Sequence, residues 1–244
     1  MSIIYIMKRF HPFGIYKLSR KPKVTKKVEE VVNTNSDNDE DDGELPFPFN
    51  FPQKTDDKIY LTDNHLYFNN EVSKQSVDQV KKLMREYAQK IQKMTKNSFL
   101  ESVKSKPLFL HIYSPGGDVH AGFSLYDYIQ EYNKFIPVHT IVEGLVASAG
   151  TIISCAGAYR YITPNSFMLI HQLSTFMGGN FEQLKDEFNN CQKIMDRIIS
   201  IYTKHATIQK KNLPDILKHD IIWDASECLK QGLVNEVKQL DIFN

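Results

Sequence analysis

Leu108-Phe-Leu-His-Ile-Tyr113-Ser-Pro-Gly-Gly117 is the stretch on which the fold turns. Six apolar or aromatic-rich residues in a row, stopped by Pro-Gly-Gly, predict a short buried strand ending in a tight turn. Directly after it, Val119, Phe123, Tyr126 and Ile129 recur at helical spacing. Strand, glycine turn and helix in that order make one βα unit, and the pattern repeats along the chain. Downstream, Pro137–Val142 predicts a strand and Ala147–Ala156 a buried helix of small residues. Tyr159–Thr163 and Phe167–Ile170 predict two further strands. Upstream, Leu66-Tyr67-Phe68 predicts a strand, with His65 in the turn before it. A helix from Ser76 carries Val77, Val80, Leu83, Met84, Tyr87 and Ile91 on one face. Strands alternating with helices at this rhythm predict an α/β domain.

Two features lie beyond that rhythm. From Asn180 to His205 the apolar residues Phe181, Leu184, Phe188, Cys191, Met195, Ile198 and Tyr202 keep a three-four alternation. A stripe of that length calls for a partner surface, either the chain's own core or a second subunit. Residues 1–52 are different. A basic run ends at Lys27, and Glu29, Asp37, Asp39, Glu40, Asp41, Asp42 and Glu44 follow among Asn and Ser. Such composition cannot bury enough apolar surface to offset ordering entropy, so the expectation is a disordered charged tail ahead of a domain over residues 53–244.

The whole chain of 244 residues, 41% hydrophobic and 24% charged, is long enough for one sizeable core. Its formal charge of +1 gives no electrostatic footprint for nucleic acid. No run approaches the roughly 18 apolar residues of a membrane span. Three cysteines, Cys155, Cys191 and Cys228, without paired spacing fit a reducing compartment. The cytoplasm is therefore the expected location. The basic segment from Lys8 to Lys27 leaves an organelle matrix or plastid stroma as the alternative.

Chemistry concentrates in a few places. Ser148 sits among small residues in Gly144-Leu-Val-Ala-Ser-Ala-Gly150, where a strand has ended and a helix begins. A hydroxyl there is open to a substrate backbone and feels the positive end of the helix. A serine needs a base, and His171 ends the apolar strand Phe167–Ile170 at a rim. Of the acids that could orient that base, Asp220 precedes Ile221-Ile222-Trp223, neighbours expected to dry its carboxylate. Ser-Pro-Gly-Gly supplies exposed backbone N–H groups for a developing oxyanion. Taken singly, each signal also fits a blander role: an N-cap serine, a structural histidine, a plain turn.

Tyr113-Ser-Pro-Gly-Gly117 with Ala121-Gly122 and Tyr126-Asp127 resembles the Ser-Pro-Gly-Gly segment of the Clp protease proteolytic subunits. Val146-Ala-Ser-Ala-Gly150 resembles that family's nucleophile helix, and Met168-Leu-Ile-His171-Gln172 its histidine strand. Asp220, with Ala225, Glu227 and Gly232-Leu-Val234, resembles its aspartate segment and closing helix. The resemblance implies a crotonase-like fold of stacked βαβ units with a long protruding helix. It implies a serine endopeptidase with the triad Ser148, His171 and Asp220, and with the Gly117 and Ala149 backbone N–H groups as oxyanion hole. It needs no metal or other cofactor. Polypeptide substrates, a homo-oligomer of two stacked heptameric rings and an AAA+ unfoldase as feeder are implied as partners. His219 stands before Asp220 where many members have arginine. Rival readings are a non-catalytic structural ring subunit of a mixed assembly, an acyl-CoA enzyme of the wider crotonase group, and a viral maturation protease using the same chemistry.

Overall fold

The computed structural model describes residues 58–97 and 106–239, so the segment expected as a charged tail and the start of the domain lie outside the described residues. Along the chain run β1 (Ile59–Thr62), β2 (His65–Asn69), α1 (Lys74–Asn97), β3 (Leu108–Ser114) and α2 (Val119–Tyr132). Next come β4 (Val138–Ala147), α3 (Ala149–Cys155), β5 (Tyr159–Ile162), β6 (Phe167–Leu169) and α4 (Phe181–His205). The series closes with α5 (Leu213–Leu217), β7 (Trp223–Asp224), α6 (Ala225–Lys230) and β8 (Glu236–Val237). The sheet order is β1-β2-β3-β4-β5-β8. Neighbours are parallel except the β1–β2 hairpin and β6–β7, as βα units require.

Alternation along the strands decides which face is core. Leu66, Phe68, Leu108, Leu110, Ile112, Val138 and Val142 are buried and share one core with Val80 and Met84 of α1, Leu125 and Ile129 of α2, and Ile152 and Ile153 of α3. The intervening positions carry rings instead: Tyr60 stacks on Tyr67, Tyr67 on His111, and His65 on Phe109. His65 is not in a turn. It opens β2, and its Nδ1 lies 2.8 Å from Nε2 of His111, whose Nδ1 bonds Glu143.

One strand is longer than its apolar run suggests. The sequence ends the strand at Val142, yet β4 continues to Ala147 because it has two partners on one edge. Residues 139–142 pair with β5, and Leu145–Ala147 pair with β6. Between these halves the register against β3 slips from Ile112↔Val142 to Ser114↔Val146. Gly144, at φ 61°, takes the kink. The strand thus delivers Ser148 beside β6.

The long helix α4 opens with a capping box, Asn180 Oδ1 accepting from the Gln183 N–H and Gln183 Oε1 from the Asn180 N–H. Its stripe divides. Ile198, Ile201 and Tyr202 are buried in the core, whereas Phe181 and Phe188 are 75% and 54% exposed. The N-terminal half stands clear of this chain's core.

Candidate active site

Ser148 sits at the N-cap of α3 with φ 54° and ψ −125°, a backbone region that residues with a β-carbon rarely enter. Pairing on both sides imposes it. The Ser148 N–H donates to the Leu169 carbonyl at 2.9 Å, and the Thr151 N–H donates to the Ser148 carbonyl at 3.0 Å. The hydroxyl is left uncommitted to capping and is directed at His171. Ser148 itself is buried at 4% exposure.

His171 lies just past the end of β6. Its Nε2 is 2.8 Å from Ser148 Oγ and its Nδ1 is 2.9 Å from Asp220 Oδ1. A carboxylate only accepts, so Nδ1 carries the ring proton and the Nε2 lone pair faces the serine O–H. The segment carrying Asp220 is tied in by the Gln172 N–H, which donates to the Leu217 carbonyl at 2.7 Å. One backbone bond on each side of His171 therefore sets its distance to both partners.

The carboxylate is not dry. Asp220 is 63% exposed at its side chain in this chain, and Ile221 and Ile222 are also exposed. Adjacent apolar residues shield a carboxylate only when the chain folds them over it, and here residues 218–222 run along the surface.

The glycine turn meets Ser148 from the other side. Val72 clamps it: the Val72 N–H donates to the Gly116 carbonyl at 2.7 Å, and the Asp118 N–H donates to the Val72 carbonyl at 2.8 Å. A parallel bridge of this kind uses the groups flanking Gly117 and turns Gly117's own N–H away. Among the described residues, neither the Gly117 N–H nor the Ala149 N–H has an acceptor. Gly117 needs its φ of 141°, and a β-carbon on it would lie 2.2 Å from the Val72 carbonyl oxygen. Sequence reasoning missed the Val72 clamp. Its one signal is a valine just past the Leu66–Phe68 strand, with no mark of what it pairs with.

The structure thus gathers Ser148, His171 and Asp220, with Gly116 of the glycine turn passing close against the serine. Among the described residues no group of three or more His, Cys, Asp or Glu side chains could hold a metal ion, and no helix is long and apolar enough to cross a membrane.

The sequence profile of the Clp protease family matches residues 65–241. An ATP-dependent Clp protease proteolytic subunit of Deinococcus radiodurans is 35% identical over 130 residues, 52% of this chain and 63% of the relative. The match thus spans just under two thirds of that protein's length. Proteolytic subunit 2 of Treponema denticola is 33% identical over 143 residues, 57% of this chain and 70% of the relative. Its counterpart in Treponema pallidum is 32% identical over 141 residues, again 57% and 70%. With the family profile running through most of the described residues and two relatives matched over more than two thirds of their length, the chain belongs to the Clp protease family, and the α/β architecture above is that family's crotonase-like fold.

Proposed function

We propose that this chain is a serine endopeptidase that cleaves polypeptides by acyl transfer. The observation that carries the reading is the His171 ring, bonded to Ser148 Oγ on one nitrogen and to Asp220 on the other. In this mechanism His171 Nε2 takes the Ser148 proton as Oγ attacks the scissile carbonyl. The oxyanion rests on the Gly117 and Ala149 N–H groups. His171 then gives its proton to the leaving amine, and the acyl-enzyme forms. Water, deprotonated by the same nitrogen, hydrolyses that ester and returns Ser148. Asp220 keeps Nδ1 protonated and supports the imidazolium.

The relatives' names, ATP-dependent proteolytic subunits, favour a ring-shaped homo-oligomer served by a separate AAA+ unfoldase. We place the peptidase domain at residues 53–244, the assembly as two stacked heptameric rings, and its work in the cytoplasm. The complete hydrogen-bonded set argues for an active subunit over a purely structural one.

A fluorophosphonate serine probe combined with native mass measurement tests this. The expected result is labelling of Ser148 in an assembly of two seven-membered rings, lost in Ser148→Ala with the assembly intact. Equal labelling of Ser148→Ala would refute the nucleophile.

A further inference from the structure

Behind Ser148 a second hydrogen-bond chain runs into the core. Thr151 Oγ1 lies 2.6 Å from the Ser148 carbonyl oxygen and 2.6 Å from the Tyr202 hydroxyl. All three residues are buried, Thr151 and Tyr202 almost completely. The direction of the chain follows from what each atom can do. A carbonyl only accepts, so the single Thr151 proton goes to the Ser148 oxygen, and the Tyr202 O–H must donate to Thr151. Burial pushes the Tyr202 hydroxyl well above its ordinary pKa, which keeps it a donor.

The Ser148 carbonyl and the Ala149 N–H belong to one peptide unit, planar and trans, so its C=O and N–H point in opposite directions. Fixing the oxygen fixes the aim of the N–H. Two donors on that oxygen, the Thr151 N–H and the Thr151 hydroxyl, hold the plane from the helix side. They also polarise the amide, which strengthens its N–H as a donor. Among the described residues this N–H has no acceptor.

Resting on the peptidase reading above, we propose that Thr151 and Tyr202 are positioning residues that aim and polarise the Ala149 N–H toward the oxyanion. Tyr202 acts only through Thr151. Because Tyr202 belongs to α4, the relay gives that helix a direct hold on the site.

The test is steady-state peptide hydrolysis on the assembled full-length protein, with affinity for a peptide boronate as second readout. The boronate forms a tetrahedral adduct and reports the oxyanion donors. Loss of a whole oxyanion donor costs about 10²–10³ in kcat, so Thr151→Val, which misaims rather than removes one, should lower kcat by about tenfold with KM unchanged. Boronate affinity should fall in parallel, and Thr151→Ser should restore both. Tyr202→Phe should cause a smaller loss, about threefold, and none further in a Thr151→Val background, since residues acting through one link are not additive. Full kcat in Thr151→Val would overturn the proposal, as would a loss that Thr151→Ser fails to restore or losses that multiply in the double variant. If Thr151→Val does not assemble, Tyr202→Phe carries the test alone by the same paired readouts, and unchanged boronate affinity overturns it. A wild-type protein without peptide hydrolysis would instead overturn the peptidase reading itself.

Discussion

Gly116 passes so close to Ser148 that a β-carbon on it would lie 2.6 Å from the Ser148 β-carbon. The same atom would sit 2.8 Å from the Ala147 carbonyl oxygen and 3.3 Å from the Ala149 nitrogen, over one of the two uncommitted N–H groups. Gly116 also needs φ 97°. Gly116→Ala should therefore add roughly 1–3 kcal/mol of backbone strain and displace the turn from the serine. The expected outcome is loss of nearly all peptide hydrolysis with a lowered Tm. Normal kcat in that variant would show that the turn does not approach the reacting atoms.

The two histidines near Asp220 should separate cleanly. His171 bonds Ser148 and Asp220, whereas among the described residues His219 makes one hydrogen bond, from its backbone N–H to the Ile216 carbonyl. Removing the base of such a triad costs about 10⁶ in kcat, so His171→Ala should be nearly inactive. His219→Ala should leave peptide hydrolysis largely unchanged. Equal losses would mean that the base is misassigned or that position 219 governs assembly.

On α4, Phe181 and Phe188 are 75% and 54% exposed, on the half of the helix that stands clear of the core of the described residues. Exposed aromatics on one stripe are what a subunit interface covers. As buried anchors each would contribute about 2 kcal/mol or more to association. Phe181→Glu and Phe188→Glu should thus shift the native mass to smaller species and reduce serine labelling with it. Asp220, wet in the single chain, is the triad member most open to change on assembly. Labelling at the full rate in a dissociated variant would disconnect chemistry from assembly.

His205 gives the fold a pH dependence of its own. Burial, and secondarily the charges of Arg160 and Lys204, push its pKa down to about 4 from the ordinary value near 6.5. The neutral ring accepts from the Tyr126 hydroxyl, which lies 2.7 Å from Nε2 and whose own pKa burial raises to about 12. Between pH 4 and 6.5 the unfolded chain binds the proton that the folded one refuses, so stability rises with pH across this window. Above 6.5 the contribution is complete, and it is lost as the pH falls toward 4. Denaturant midpoints measured across that range should show the slope, and His205→Gln should flatten it. An unchanged slope would assign the acid sensitivity elsewhere.

Sequence by itself determined the alternation of the central strands and helices and the residue types at the site, but not the short elements β1, α5, β7 and β8. Period-two and period-three-four patterns are local, so they survive in the chain whatever it packs against. Leu108–Tyr113, Val119–Ile129 and the Asn180–His205 stripe were legible for that reason. Ser148, His171 and Asp220 were legible as candidates through their motifs. Tertiary structure alone decided the rest, because each remaining property depends on partners far away in sequence. The strand ending at Val142 by its apolar run goes on to Ala147 because β6 offers it a second edge. Asp220 is wet although apolar residues follow it, since those residues turn outward. Thr151 looks like one more small residue in a buried helix until Tyr202, fifty-one positions on, supplies its hydrogen bond. Hydrogen-bond partners and solvent access are set where distant segments meet, and no local pattern carries that information.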